Sequence, residues 1–233
     1  MKKLLPLSIL YVLLITPVCT AQRVVPVYEE PRHHLVFESD LMQILDVQIQ
    51  AGDTTLYHIH DAPIFYVPVA VSPTDEQVLG GEWGGVIASD DPIWEPGEVA
   101  CNIDYANQPV THRVKNVGNS LFRLIAIINK RNRPLDRSIR DDVNLPGEIE
   151  IENLWFLQSR ATIAPGDSIK WRRADSQTII VQASQGRLQY FLHPDNRKAM
   201  GSIGDFTVVD PEQSFEISNQ GSKPADIVII KLD

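Results

Sequence analysis

The feature that most constrains this fold is an internal repeat, because the second half of the chain resembles the first. Residues 51–57 (AGDTTLY) have a counterpart in residues 165–171 (PGDSIKW), at an offset of 114 residues. Further on, residues 112–116 followed by Val-Gly resemble residues 215–219 followed by Gln-Gly, at an offset of 103 residues. An apolar stretch follows this second segment in both halves. The sequence therefore predicts two tandem copies of one structural unit.

Both units are predicted to be built from β-strands. Residues 41–49 alternate apolar with polar side chains, which is the pattern of a half-buried strand. Residues 64–71 are rich in β-branched and aromatic side chains, with Pro68 indicating an edge or a bulge. Residues 121–128 are almost entirely apolar, as in a strand buried on both faces. Because no segment up to there has a long helical period, we expect an all-β protein of two tandem antiparallel, jelly-roll β-barrels.

Three histidines of the first unit are spaced to bind one metal ion. Alternate side chains of an extended segment share a face, so His58 and His60 point the same way while Ile59 points away. His112, from a strand crossing nearby, would complete a facial set of nitrogen donors that leaves open positions for a ligand. Such a set suits Fe(II), Mn(II), Ni, Cu or Zn. We therefore predict a divalent transition metal at His58, His60 and His112.

The same residues resemble the two sequence motifs of the cupin superfamily. The first motif is a Gly, five residues and His-x-His, which Gly52, His58 and His60 match. The second motif ends in a His and a following Asn, which His112 and Asn116 match. The resemblance implies a cupin barrel with a metal site, and together with the repeat it implies a two-barrel protein, a bicupin.

The chain also departs from the cupin motifs. Ile64 or Phe65 stands where the family usually places a glutamate ligand, and Asn107 and Pro109 replace the Pro and Gly that precede the second-motif histidine. Some cupin dioxygenases, which this chain resembles, use three histidines without the carboxylate. The resemblance thus favours Fe(II) among the possible metals.

The second unit is predicted to lack the metal site, because none of the three imidazoles is repeated there. The aligned pairs are His58 with Arg172, His60 with Ala174, and His112 with Phe215. Since the second copy fills these positions with other side chains, the fold itself does not require histidine at any of them. Their joint presence in the first copy therefore favours a metal-binding role.

Three further candidate ligands have an ordinary structural interpretation. His33 and His34 are adjacent, so they point to opposite faces of a strand and cannot both bind one metal. We expect one of them to be half-buried and the other solvated. Cys101 is a candidate metal ligand or reactive thiol, but its position beside Val99 and Ala100 is more typical of a buried small hydrophobic residue.

Residues 1–21 are predicted to be a secretory signal peptide. Two lysines precede an apolar run over residues 4–15, which is shorter than the roughly 20 residues a membrane-spanning helix needs. Cleavage after Ala21 would make Gln22 the first residue of a secreted or periplasmic protein. Attachment of a lipid through Cys19 is the weaker alternative.

The mature chain is expected to contain two domains. The first barrel, with the metal site, is expected over residues 22–129, and the second, degenerate barrel over residues 148–233. Residues 130–147 are charged and turn-rich with too few apolar side chains for a core, which indicates a linker. We expect the second barrel to pack against the first or to contribute to a homodimer.

The charge of the chain excludes one class of partner. Loss of the two signal-peptide lysines would change the net charge from −9 to −11, and binding to nucleic acid needs a basic surface. Only one cysteine would remain after cleavage, so no intrachain disulfide is available and the barrels must be stabilised by their cores. A small organic molecule is the expected ligand or substrate.

Three functions remain open from the sequence. The first is an exported mononuclear metalloenzyme of the cupin type, either an oxygenase using O₂ and Fe(II) or an isomerase or lyase that polarises a carbonyl group. The second is a non-catalytic bicupin that binds a small ligand or uses the metal structurally, which the missing glutamate favours. The third is an interaction protein of the cell envelope with a vestigial site.

Overall fold

A computed structural model of the chain describes residues 23–84, 95–132, 145–171, 176–193 and 196–232. The predicted signal peptide and most of the predicted linker lie outside the described residues. The described residues form eighteen β-strands and two short 3₁₀-helices, at Val27–Glu29 and Asp104–Ala106. The predicted all-β class is confirmed.

The first nine strands form two sheets. Their bounds are β1 Val24–Pro26, β2 His33–Glu38, β3 Met42–Ile49, β4 Tyr57–His60, β5 Ile64–Ala70, β6 Thr74–Val78, β7 Ala100–Asn102, β8 Val110–Asn116 and β9 Phe122–Asn129. One sheet has the strand order β1-β4-β8-β6, and the other has the order β2-β3-β9-β5-β7. Neighbouring strands are antiparallel except β1 and β4, which run parallel.

The remaining nine strands also form two sheets. Their bounds are β10 Glu148–Glu152, β11 Phe156–Ile163, β12 Ser168–Trp171, β13 Thr178–Gln182, β14 Leu188–His193, β15 Asn196–Met200, β16 Phe206–Val209, β17 Ser214–Asn219 and β18 Ala225–Leu232. The two sheets have the orders β10-β11-β18-β13-β16 and β12-β17-β14-β15. Each half of the described chain is therefore one four-stranded sheet packed with one five-stranded sheet.

Strand β9 shows why the sequence reads as apolar on both faces. Phe122, Leu124 and Ala126 point into the first barrel and line its internal cavity. Ile125 and Ile127 alternate with them and join a core cluster that also contains residues of the second barrel. The predicted strand buried on both faces is thus confirmed, because one face lines the cavity and the other packs against the second barrel.

The two barrels share a hydrophobic core between their five-stranded sheets. Phe65 on β5 packs against Phe156 on β11, with ring centroids 5.5 Å apart. Both rings are fully buried. Ile179 and Val228 belong to the same cluster from the second-barrel side. The second barrel therefore packs directly against the first, through apolar side chains that alternate with those lining the cavity.

The Asn of the second motif is a structural residue in both halves. The Nδ2 group of Asn116 donates to the carbonyls of Ile49 and Ser120 at 2.8 and 2.7 Å. Asn219 donates in the same way to the carbonyls of Ile163 and Lys223 at 2.8 and 2.7 Å. In each case the Asn Oδ1 atom also accepts a bond from the glycine two residues later. Three hydrogen bonds are thus the same in both halves, and Asn116 accepts a fourth from the Ser72 hydroxyl group. This Asn is therefore a structural residue of the repeated unit and not a metal ligand.

Strand β5 refines one expectation. Pro68 is inside a strand that pairs on both sides, with β7 and β9, and the register of β5 against β9 shifts between Pro68 and Ala70. Of the two alternatives for Pro68, the structure has the bulge, where a missing N–H group is tolerated.

The part of the chain that the structure describes contains no helix with the length and apolar character needed to span a membrane.

Candidate metal centre

The structure brings together the three histidines singled out from the sequence. Strands β4 and β8 pair so that His58 is directly opposite His112, and His60 is two residues further along β4. One ligand nitrogen from each of the three rings lies within 4.8 Å of the others. The Nε2 atoms of His60 and His112 are 3.0 Å apart. Two nitrogen donors about 2.1 Å from one ion and at right angles would be separated by about 3.0 Å, so the spacing suits a shared metal.

Burial keeps the imidazoles of His58 and His60 in the neutral form that binds metals. His58, His60 and His112 are all buried. Burial, together with the neighbouring His33 and His112, lowers the pKa of His58 to about 2. Burial likewise holds the pKa of His60 well below its usual value. His58 and His60 are therefore neutral at physiological pH, which leaves a nitrogen lone pair available for coordination.

Hydrogen bonds on the far side of two rings fix which nitrogen faces the site. Nδ1 of His58 is 3.0 Å from the carbonyl oxygen of Leu56. Nδ1 of His112 is 3.3 Å from a carboxylate oxygen of Glu76. Both partners are acceptors, so each Nδ1 carries the proton and each Nε2 presents its lone pair. No motif spacing identifies Glu76, which is brought to His112 because β6 pairs with β8.

A one-residue bulge directs the two histidines of β4 into the barrel. Thr54 is opposite Lys115 in an isolated bridge, whereas His58 is opposite His112. From Thr54 to His58 the chain advances four residues, whereas from Lys115 back to His112 the opposite strand advances three. The segment that leads into β4 therefore contains one extra residue. Because a shift of one residue exchanges the two faces of a strand, an unbulged pairing would set Tyr57 and not His58 opposite His112.

The bulge is held by two hydrogen bonds outside the strand ladder. The Thr55 hydroxyl oxygen accepts a bond from the Val114 N–H group at 2.8 Å. The Leu56 N–H group donates to a carboxylate oxygen of Glu30 at 3.1 Å. Glu30 is buried and also accepts from the Arg32 N–H group at 2.6 Å. The side chains of Thr55 and Glu30 thus take the place of backbone partners that the bulge removes.

The second barrel pairs the equivalent strands without the extra residue. Strands β12 and β17 keep one register from Ser168 opposite Ser218 to Trp171 opposite Phe215. Phe215 stands at the His112 position, and by strand pairing the counterpart of His58 is Trp171, one residue before Arg172. Arg172 and Ala174 lie outside the described residues.

An aromatic contact occupies the place of the histidine contact. The rings of Trp171 and Phe215 meet edge to face at 5.3 Å. Both belong to the apolar cluster inside the second barrel. Two of the positions that carry imidazoles in the first barrel therefore carry packed apolar rings in the second.

A fourth imidazole, His33, lines the same cavity and was missed as a site residue. As expected for adjacent strand residues, one of the pair is buried and the other, His34, is exposed. Nδ1 of His33 is 2.8 Å from the carbonyl oxygen of Val27, and its ring centroid is 4.7 Å from that of His58. Its ligand atoms do not group with the triad. No local pattern predicts this position of His33, because β2 belongs to the sheet opposite the triad.

Cys101 is half-buried. Its sulfur is 3.4 Å from the Nδ2 group of Asn153, which donates to it from the second barrel. The side chain also packs against the shared core. Burial raises the pKa of the Cys101 thiol, which favours the unreactive protonated form.

The triad opens on an internal cavity of about 480 Å³ between the two sheets of the first barrel. Most of the wall is apolar, and β3 and β9 contribute three apolar side chains each. Two phenols, Tyr66 and Tyr105, also line it, and the Tyr105 ring lies 5.0 Å from that of His60. The arrangement therefore combines a buried nitrogen-donor set with an adjoining cavity large enough for a small molecule, as suits a divalent transition metal with open coordination positions.

Comparison with known proteins identifies the fold through structure alone. No protein-family model matches the chain, and no curated protein matches it. Solved structures do match. AerE from Microcystis aeruginosa superposes with a TM-score of 0.57 at 10% identity, over 88% of this chain and 98% of that one. Salicylate 1,2-dioxygenase from Pseudaminobacter salicylatoxidans gives a TM-score of 0.56 at 10% identity, over 83% and 71%.

A third match names the fold directly. A cupin 2 conserved barrel protein from Leptotrichia buccalis superposes with a TM-score of 0.50 at 9% identity, covering 85% of this chain and 87% of that one. These coverages include both barrels, and the identities are low enough that the similarity concerns the fold. The chain therefore has the two-barrel cupin fold, with its three-histidine cluster in the first barrel.

Proposed function

We propose that this protein binds one divalent transition metal ion through His58, His60 and His112 and acts on a small organic molecule in the adjoining cavity. The observation that carries the proposal is the convergence of the three buried imidazoles, two of them with Nε2 atoms 3.0 Å apart, at the wall of a cavity. Three imidazole nitrogens accept Fe(II), Mn, Ni, Cu or Zn, and the resemblance to cupin dioxygenases that use three histidines favours Fe(II). When bound, such a metal polarises a ligand oxygen and, as Fe(II), supplies redox chemistry toward O₂.

The residues of this chain supply the remaining requirements of a reaction site. The bulge at Thr55 and the contact with Glu76 hold the imidazoles in place before a ligand arrives. The apolar wall excludes water, which strengthens polar interactions at the metal. Tyr66 and Tyr105 provide hydroxyl groups that orient a bound oxygen atom.

An oxygenase-like reaction is the favoured chemistry. One structural neighbour is named as a salicylate dioxygenase, and a variant of oxalate decarboxylase from Bacillus subtilis is similar in fold at a TM-score of 0.51. Both names describe those proteins. They support, for this chain, a metal-dependent reaction of a small oxygen-bearing substrate.

A second candidate function is non-catalytic binding of a small ligand, or a structural role for the metal. It is favoured by Ile64 and Phe65, which are both buried where the glutamate of the motif is expected. Without a carboxylate the metal keeps its full positive charge, which suits tight retention of a ligand as well as turnover.

Metal analysis tests the site. The purified protein, loaded with Fe(II) under anaerobic conditions, is expected to contain one metal per chain by mass spectrometry. His58→Ala and His112→Ala are each expected to abolish stoichiometric binding, whereas the exposed residue His34 supplies a matched control in His34→Ala. Equal metal content in all four proteins would refute the proposal. Oxygen uptake by the Fe(II)-loaded protein, with a panel of aromatic and small carbonyl compounds, then separates catalysis from binding.

Export is the second part of the proposal. The basic start and short apolar run of the first 21 residues support a cleaved signal peptide and a secreted or periplasmic protein. N-terminal sequencing of protein recovered from the secreted or periplasmic fraction is expected to begin at Gln22. Recovery of the uncleaved chain from the cytoplasm would refute export, and a lipid on Cys19 would refute cleavage after Ala21.

A further inference from the structure

The walls of the cavity are built from apolar side chains at alternate strand positions. Leu45, Val47 and Ile49 point inward from β3, and Leu124 and Ala126 point inward from β9. Each belongs to one buried cluster. A ligand in this cavity therefore exchanges water for hydrocarbon over most of its surface, which is favourable only for an apolar body.

The described lining of the cavity contains no lysine or arginine. Glu76 is the carboxylate on its inner face, where it accepts from His112. Asp75 pairs with Lys115 and alternates with Glu76, so its side chain lies on the other face of β6. Arg113, which neighbours His112 in sequence, is turned to the other face of β8. Its guanidinium lies 4.8 Å from the centroid of the Tyr57 ring, and its Nε donates to Gln77 at 2.7 Å.

Two other arginines near the cavity form ion pairs with aspartates outside it. Arg32 forms two hydrogen bonds with Asp53, at 2.9 and 2.8 Å. Arg123 forms two with Asp46, at 2.8 and 3.0 Å, on the face of β9 that points away from the cavity. A carboxylate entering the cavity would lose its hydration with no protein cation to replace it, so the metal alone would have to offset that loss.

The polar groups that remain are neutral donors. Tyr66 donates a hydrogen bond to Tyr105, and burial, first among the causes, raises the pKa of both phenols. Both hydroxyl groups therefore stay protonated at physiological pH. Because the Tyr66 proton is used in the bond to Tyr105, the Tyr105 hydroxyl group is the phenol that can donate to a carbonyl, hydroxyl or ether oxygen on a ligand.

We propose that the ligand of this cavity is an uncharged, largely apolar molecule that meets the metal through an oxygen-bearing end, and that the cavity discriminates against carboxylates. This inference rests on the proposed metal site. The volume of about 480 Å³ lies within the roughly 300–1,000 Å³ typical of small-molecule pockets.

A pair of matched probes tests the charge preference. 2′-Hydroxyacetophenone and salicylate share a ring and an adjacent hydroxyl group, and differ in carrying a neutral acetyl group or a carboxylate. The protein is loaded with Co(II), its metal content is measured, and each probe is titrated at pH 7 while the visible spectrum of the metal is followed. The neutral probe is expected to bind roughly tenfold or more tightly than salicylate.

The outcomes separate the two proposals. Stoichiometric Co(II) with equal or tighter binding of salicylate, or with binding of neither probe, overturns the charge preference and leaves the metal site standing. Absence of Co(II) from the folded protein overturns both.

Discussion

Glu76 is the residue whose effect on the site is easiest to isolate. Its carboxylate accepts from Nδ1 of His112, and loss of such an outer partner typically lowers metal affinity about 10- to 100-fold. We expect this for Glu76→Gln in competition titrations against a chromophoric chelator. Asp75→Asn removes the same charge one residue away and is expected to change affinity much less. Equal effects of the two variants would indicate a general charge effect instead of an oriented imidazole.

His33 provides a second test at the residue scale. His33→Ala removes the hydrogen bond to the Val27 carbonyl, which is expected to lower the free energy of unfolding by about 1–3 kcal/mol in urea titrations. One metal per chain should remain, since His33 is outside the triad. His34→Ala, at an exposed position, should stay within about 0.5 kcal/mol of the parent. A folded His33→Ala protein without metal would instead make His33 a ligand.

At the scale of the element, the bulge before β4 decides which face carries the histidines. Thr55→Val keeps the shape of the buried side chain but leaves the Val114 N–H group without its acceptor. We expect a loss of about 1–3 kcal/mol in unfolding free energy, together with weaker metal binding. Thr55→Ser restores the acceptor and should restore both properties. Thr54→Val, beside it but less buried, is the control, and an effect on metal affinity equal to that of Thr55→Val would contradict this role.

The two equivalent asparagines allow one experiment to be done in both barrels. Asn219→Ala removes three hydrogen bonds. Asn116→Ala removes the same three and a fourth, which its Oδ1 atom accepts from the Ser72 hydroxyl group at 2.8 Å. Each is expected to cost roughly 2–4 kcal/mol of stability in thermal or urea unfolding. The folded Asn219→Ala protein should keep one metal per chain, because its barrel has no triad. A large loss of stability in only one of the two variants would show that the two asparagines are not equivalent.

At the scale of the whole molecule, the shared core couples the two barrels. Phe156→Ala, in the second barrel, removes the ring that packs on Phe65 and is expected to cost about 3–5 kcal/mol. Release of the metal from the first barrel should then coincide with loss of β-sheet circular dichroism at a lower temperature. Val117→Ala, at an exposed position, should leave both transitions unchanged. Metal retained after half of the β signal is lost would show that the barrels unfold independently.

The internal repeat and the strand patterns were sufficient to predict an all-β, two-barrel fold. Side-chain alternation and turn residues depend on neighbouring residues in the sequence, so they can be recognised without knowledge of the tertiary structure. Spacing alone also indicated that His58 and His60 share a face. Residues 121–128 were recognised as a strand buried on both faces, although the sequence could not say that one face lines a cavity and the other packs on a second barrel.

Only the tertiary structure decided what surrounds the three imidazoles. Glu76, His33 and the bulge at Thr55 reach the site through strand pairings that join residues far apart in the chain, and no local pattern encodes such pairings. The sequence also did not show which charged side chains line the cavity. Arg113 is adjacent to His112 in sequence, yet its side chain lies on the opposite face of the strand. The sequence by itself determined the type of fold and the donor atoms; their orientation and the apolar surroundings follow from long-range packing.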